Sequence, residues 1–363
     1  TAAPLEEAPS CTRATVGTKR LQVRVTDFGS PSPETRTAAG SGNRPEAKPT
    51  ISPIRMSKRS TGTTGQVGWE LVRALQPLGE VVPVSIDDLD LTDAEATRRL
   101  LDRVKPDVVV NPAAHTAVDK AETEQQELAR VLNADVPAVL ADWCKAHGAL
   151  LVHYSTDYVF NGEGTRPWKE DDATAPLNVY GATKLAGEQA IQKSGCAHLI
   201  LRTCWVYSLH GGNFLKTMVR LASSRDHLKV VADQYGVPTP ASFIADVTAE
   251  LIRRRSFDPK LADWSGILNL APSGETTWHG YAQTGLKLLH EATLAAGENT
   301  AQRPRPEWQV PRMPTLEAVP ATEFPVPSKR PSNSRLDLSR IQQVWGLRMP
   351  PWDELLKTVL RDA

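Results

Sequence analysis

Apolar residues along this chain fall into two alternating patterns from Gly62 onward. Short runs rich in β-branched residues occur at Glu80–Ser85, Asp107–Asn111, Ala149–Tyr154 and His198–Thr203. Between them lie stretches with helical spacing. In Asp93–Val104 the apolar positions Ala96, Leu100, Leu101 and Val104 recur three or four residues apart, and a second helix is expected over Glu124–Ala146. Strands that are apolar throughout need cover on both faces, and helices between consecutive strands supply it. The pattern therefore predicts an α/β fold, a doubly wound parallel sheet. Beyond about residue 208 the alternation weakens and prolines crowd Arg303–Pro331, which predicts a smaller C-terminal lobe.

The first 57 residues are rich in Pro, Ser, Thr, Gly and charge, with one short strand-like run at Leu21–Val25. A segment with so little apolar surface cannot offset its ordering entropy, so residues 1–57 are expected to be a mostly disordered extension. The dinucleotide-binding domain is expected over 58–207. Residues 208–363 are expected to form mainly the substrate-binding lobe, with some segments returning to the first domain.

Length and charge narrow the function. A chain of 363 residues suits a large domain with a smaller partner. Lys+Arg and Asp+Glu both number 42, so no net field draws it to nucleic acid or an anionic membrane. No run is long enough to span a bilayer and no apolar signal core opens the chain, giving a cytosolic expectation. Cys11, Cys144, Cys196 and Cys204 are widely spaced, without a CxxC pair, and are read as reduced, Cys144 and Cys196 as packing residues. No metal site is expected, and a need for Mg2+ has no signature in the sequence.

Gly62-Thr-Thr-Gly65-Gln-Val-Gly68 precedes a helix that ends before Pro77. Glycines at this spacing let a chain turn tightly and bring backbone N–H groups against a pyrophosphate, as in Rossmann-type folds. The strand expected just upstream is poor, because Arg55–Thr61 is polar where a parallel core wants Val, Ile or Leu. At the end of the second strand, where a carboxylate often meets the ribose, stands Ser85. Its lack of charge favours NADPH, nearby Asp87 and Asp88 favour NADH, and both cofactors stay open.

Ketone reduction needs a hydride donor, a proton donor and a group that orients the oxygen. Tyr180-Gly-Ala-Thr-Lys184 puts a phenol and an ammonium on one helical face, where the charge would stabilise the phenolate. Thr156, at the carboxyl end of the strand in Tyr154–Phe160, can hydrogen-bond a substrate carbonyl, and Asp157 stands beside it.

The order GxxGxxG, Thr156, Tyr180, Lys184 resembles the extended short-chain dehydrogenase/reductases. Asn111–Glu122, Ser155–Phe160, Ala175–Gly181, Thr183–Glu188, Arg202–Tyr207, Asp233–Thr239 and Arg330–Leu336 resemble, within them, the dTDP-4-dehydrorhamnose reductase family. The resemblance covers nearly everything from Gly62 to the end. It implies reduction of the C4 ketone of a dTDP-sugar by NADPH or NADH in nucleotide-sugar biosynthesis for cell-surface polysaccharide, by a monomer or homodimer. Tyr180, Lys184 and Thr156 would be catalytic. Gly62, Gly65, Gln66, Val67 and Gly68 would meet the pyrophosphate, Asp90 and Leu91 the adenine, and Ala114, His115, Thr116 and Tyr154 the nicotinamide side. Thr156, Asp157, Trp205 and Arg330 would meet the substrate. Simpler roles stand beside these: a packing histidine at His115, a core tryptophan at Trp205, a solvated charge at Arg330. The family pattern has serine where this chain has Cys204, and a longer stretch between Ser85 and Asp90. Two other functions fit the motifs, a non-catalytic regulatory subunit like the β subunit of methionine adenosyltransferase and a sugar-nucleotide epimerase or dehydratase.

Overall fold

The computed structural model describes residues 22–23, 50–53, 65–296 and 304–363. Its first half runs β1 (Gln22–Val23), β2 (Thr50–Pro53), α1 (Gln66–Leu75), α2 (Ala94–Val104), β3 (Val108–Asn111), α3 (Val118–Glu122), α4 (Gln126–Arg130), α5 (Val136–His147), β4 (Leu150–Thr156), α6 (Val179–Ser194) and β5 (Ala197–Thr203). There follow β6 (Val206–Tyr207), α7 (Phe214–Ala222), β7 (His227–Val231), β8 (Tyr235–Gly236), β9 (Thr239–Pro240), α8 (Ala241–Phe257) and β10 (Gly266–Asn269). The chain ends with β11 (Thr276–Thr277), α9 (Trp278–Ala295), β12 (Thr315–Val319), α10 (Ser339–Trp345) and α11 (Trp352–Leu360).

Six strands form one parallel sheet in the order β1-β2-β3-β4-β5-β10. Its strand residues alternate between two cores, as the period of two requires. Val108, Val110, Leu150, Val152, Leu199 and Leu201 pack with α1, α8 and α10. Val109, Leu151 and Ile200 pack with α2, α5 and α6 on the other face. The sheet is therefore doubly wound. A third core, built around Leu215, Met218, Leu228, Tyr281, Trp308 and Leu356, belongs to a smaller lobe of α7, β7, α9, β12 and α11. Helix α8 and strand β10 lie within residues 208–363 yet complete the first core and the sheet.

The start of the sheet differs from the sequence reading. The strand beside β3 is Thr50–Pro53, upstream of the polar stretch, with Ile51, Ser52 and Pro53 opposite Val108, Val109 and Val110. The run around Leu21–Val25 supplies the neighbouring β1. Part of the expected extension thus enters the sheet, while Arg55–Thr61 and the rest of 1–57 lie outside the described residues. The expected strand Glu80–Ser85 is reduced to single bridge residues at Val81 and Val84, both buried.

The expected helix over Glu124–Ala146 is broken by a π-turn at Val131–Asp135. Pro137, at the start of α5, has no N–H to return to the Asn133 carbonyl. That carbonyl instead faces α6 at Gly187, where an added Cβ would lie 2.1 Å from it. Glycine at this position is what lets α5 and α6 approach. The same turn directs the Asn133 side chain toward the carboxyl ends of the strands, a common use of π-turns at functional sites.

Candidate active site

A cleft of about 980 Å3 opens at the carboxyl ends of the central strands. Of the residues expected from sequence, Gly65, Gln66, Val67, Ala114, His115, Thr116, Tyr154, Thr156, Asp157, Tyr180, Lys184, Trp205 and Arg330 all line it. Gly68 is buried within α1 behind that lining. Asp90 and Leu91 are elsewhere: Asp90 accepts from the Thr92 N–H and hydroxyl in its own turn, and Leu91 is in the core of α2 and α5. Gly62 lies outside the described residues.

Helix α1 begins at Gly65 with no side-chain cap and no acidic residue in its first turn. An uncapped helix start presents N–H groups and a positive dipole end, the donor set that a pyrophosphate fits. Across the cleft the loop at Gly211 approaches Gln66, and Asn213 donates to the Gln66 amide oxygen at 3.1 Å. Ser85 holds Asp88 within its own turn, its N–H and hydroxyl donating to Asp88 Oδ2 at 2.8 and 2.7 Å.

The loop after β3 is fixed by Asn133. Its Oδ1 accepts from the His115 N–H at 2.8 Å, while its Nδ2 donates to the His115 carbonyl and to Thr183 Oγ1, each at 3.1 Å. His115 Nε2 is 2.8 Å from Gln125 Oε1 and its Nδ1 has no partner, so the ring is held as a wall of the cleft. Sequence reasoning had no signal for Asn133 beyond Pro137, whose place inside a helical pattern marks a break.

The polar floor is built at the ends of β4 and β5. The Tyr180 phenol is within hydrogen-bonding reach of Thr156. Thr156 Oγ1 also accepts from the Tyr158 N–H at 3.2 Å and donates to Asp157 Oδ1 at 3.1 Å. Burial raises the phenol above its ordinary range, Thr156 pulls it down, and Asp157 and Tyr158 push it further up. Lys184 lies about one turn along α6 from Tyr180. Its Nζ turns to the Tyr154 carbonyl at 2.6 Å and to His153 Nε2 at 3.2 Å.

Burial lifts the Asp157 carboxyl to about 7, with the Ser334 and Thr156 hydroxyls opposing. Ser334 completes no hydrogen bond of good geometry with it, and Asp157 Oδ2, Ser155 Oγ and Thr203 Oγ1 are buried without partners. All three residues line the cleft, so the floor offers polar groups that a ligand rich in hydroxyls can satisfy.

Trp205 adopts φ 46°, a left-handed backbone rare for a bulky residue. Its indole lies against Gly236, where an added Cβ would meet the ring at 2.6 Å, and stacks on Trp278 at 3.7 Å between centroids. Trp205 and Trp278 form one aromatic wall, and both line the cleft. Arg330 is paired with Asp119 at 2.6 Å, and Asp119 also accepts from the Ser328 hydroxyl at 2.7 Å. This clasp ties the lobe to α3 at the cleft mouth. Trp278, Asn133 and Asp119 escaped the sequence reading because each acts through a contact distant along the chain. Among the described residues no group of three or more His, Cys, Asp or Glu is placed to hold a metal ion, and no helix is long and apolar enough to cross a membrane.

The profile of the RmlD substrate binding domain matches residues 59–363. The chain belongs to this family. It is 46% identical over 305 residues to the dTDP-4-dehydrorhamnose reductase of Shigella flexneri, covering 83% of this chain and 96% of that one. The reductase of Escherichia coli K12 is 45% identical over 305 residues with the same coverage. Among solved structures, the dTDP-4-dehydrorhamnose reductase of Bacillus anthracis in complex with NADP superposes with a TM-score of 0.71 at 29% identity, over 86% of this chain and 99% of that chain. The Clostridium acetobutylicum reductase gives 0.71 at 34% identity, over 85% and 97%. The family match starts after β2, so the residues that form β1 and β2 here lie outside it.

Proposed function

We propose that this protein reduces the C4 ketone of dTDP-4-dehydro-L-rhamnose to the alcohol of dTDP-L-rhamnose with NADPH or NADH, in the cytoplasm where both pools are held. The observation that carries the reading is the convergence in one cleft of the uncapped α1 start with Thr156, Tyr180 and Lys184. The dinucleotide, held at Gly65, Gln66 and Val67 with its nicotinamide side toward Ala114, His115, Thr116 and Tyr154, supplies the hydride.

The chain's own residues do the rest. Tyr180, like any phenol, is protonated at neutral pH and burial favours that form further, the state needed to donate a proton to the developing alkoxide. Thr156, within reach of the same phenol, orients the ketone oxygen. Asp157, Ser155 and Thr203 hold the sugar hydroxyls, and Trp205 with Trp278 excludes water on one side. Arg330 serves the substrate diphosphate by exchanging its Asp119 partner for phosphate oxygens.

The test is oxidation of NADPH and of NADH by the purified full chain on adding dTDP-4-dehydro-L-rhamnose, with the product identified by mass spectrometry. Folded, dinucleotide-binding protein that turns over neither cofactor would overturn the reading.

A further inference from the structure

The lysine of the site is held from behind by a histidine that the mechanism does not use. Lys184 Nζ has few hydrogen-bonding directions, and strand β4 takes two of them, at the Tyr154 carbonyl and at His153 Nε2. What remains faces the cleft. His153 is pinned in turn, its Nδ1 lying 3.2 Å from Asn111 Nδ2, while Asn111 Oδ1 accepts from the Ala113 N–H at 3.2 Å. His153, Asn111 and Lys184 are 0%, 1% and 2% exposed, so bulk water does not compete for these bonds.

We propose that His153, backed by Asn111, is a positioning residue of the reducing site, which aims Lys184 Nζ into the cleft and couples the lysine's protonation to the ring's tautomer. The inference rests on the reading of Lys184 and Tyr180 given above. Its logic starts at Ala113, whose backbone N–H can only donate. That donor fixes the Asn111 amide with its oxygen toward Ala113 and its NH2 toward the ring. Nδ1 must then accept, which places the ring proton on Nε2, facing Nζ. An Nε2–H is satisfied by the lone pair of an amine and opposed by an ammonium. Charging Lys184 therefore requires the ring proton to shift to Nδ1 and the Asn111 amide to turn, which leaves two donors facing each other at Ala113.

The surroundings act in the same direction. Burial lowers Lys184 to about 8 against the opposing Glu188, and holds His153 well below its ordinary range. Glu188, on α6, is committed to Arg202 of β5 at 2.9 and 2.6 Å and is a weakened counter-charge for the lysine. A lysine that changes state near neutral pH can take a proton from the cleft or return one at little cost, whereas a solvated lysine stays charged.

The experiment is the pH profile of kcat and kcat/KM for sugar reduction by the full chain and its variants. His153→Leu removes both ring nitrogens and should lower kcat by about tenfold, leave the sugar KM within about twofold, and move the alkaline limb up by roughly one pH unit. His153→Gln keeps a polar group near the Nε2 position and should restore most of kcat and the limb. Asn111→Asp accepts from an Nδ1–H, favours the ammonium, and should also move the limb up. Unchanged limbs and kcat in His153→Leu and Asn111→Asp, with turnover abolished in Lys184→Met and Tyr180→Phe, would make His153 a packing residue and overturn the inference alone. Normal turnover in Lys184→Met and Tyr180→Phe would overturn the site reading instead. If His153→Leu does not fold, imidazole 15N NMR of the unmodified protein decides: the inference expects a protonated Nε2 above about pH 8, shifting to Nδ1 as pH falls. A protonated Nδ1 at high pH overturns it.

Discussion

At the scale of single residues, burial shifts the titratable groups of the site toward their neutral forms. Tyr180→Phe removes the proton donor without emptying the space behind it, so turnover should fall about 10²–10⁴-fold with dinucleotide affinity within twofold. Stopped-flow reduction and calorimetric binding separate the two effects. Asp157 gives a prediction with a sign. Its folded-state value is about 7, above its ordinary 3.8, so the native state binds this proton more tightly than the unfolded chain does. The stability it contributes is complete below about pH 4 and lost as pH rises through about 7. Asp157→Asn should therefore stabilise the protein at pH 8, by up to about 4 kcal/mol from a three-unit difference, and leave it unchanged near pH 4. Urea unfolding at the two pH values checks this, and equal midpoints at pH 8 would show that the carboxylate has a partner after all.

At the scale of elements, the site is set by how α5 and α6 meet. Gly187→Ala places a methyl against the Asn133 carbonyl, and α6 must move to relieve it. Overpacking of this kind costs about 1–3 kcal/mol. Because Asn133 also holds the loop at His115, dinucleotide affinity should fall together with the thermal midpoint. Gly212→Ala, where an added Cβ meets nothing within 4 Å, should leave the midpoint in place. A Gly187→Ala protein with an unchanged midpoint would mean that the helices can separate freely. Much of this level was legible in the sequence. The helix read from apolar spacing over Asp93–Val104 forms over Ala94–Val104, with Asp93 as its cap accepting from the Ala96 N–H at 2.9 Å. Strands β3, β4 and β5 fall within two residues of the runs that predicted them. The strand expected at Glu80–Ser85 shows as single bridge residues at Val81 and Val84 among the described residues.

At the scale of the whole molecule, the sheet begins with segments that lie far back along the chain. Removing residues 1–53 takes away β1 and β2 and leaves the Val108–Val110 edge of β3 unpaired. That truncation should lower the thermal midpoint and weaken NADPH binding, because β2 leads toward the glycine turn that opens α1. Differential scanning calorimetry and dinucleotide titration of the full and shortened chains test it. Equal values in both would show that residues after Pro53 provide the strand.

Periodicity, turn glycines and the Thr156, Tyr180 and Lys184 order were enough to predict the fold class and the cleft's position, because each rests on short-range spacing, while lining residues such as Ala114, Thr116, Trp205 and Arg330 came only through the family resemblance. Other features were decided only in three dimensions. The strand beside β3 is Thr50–Pro53 and not the run directly before Gly62, and its role comes from pairing with β3 rather than from its own composition. Trp205 was readable as a ring at a strand end, yet its stacking on Trp278 depends on a partner 73 residues along the chain. Lys184 was readable as a neighbour of Tyr180 on one helix face, yet β4 turns its ammonium-bearing end toward His153 and the Tyr154 carbonyl. Spacing places side chains on a face, but hydrogen-bond partners contributed by other strands choose where each polar atom points.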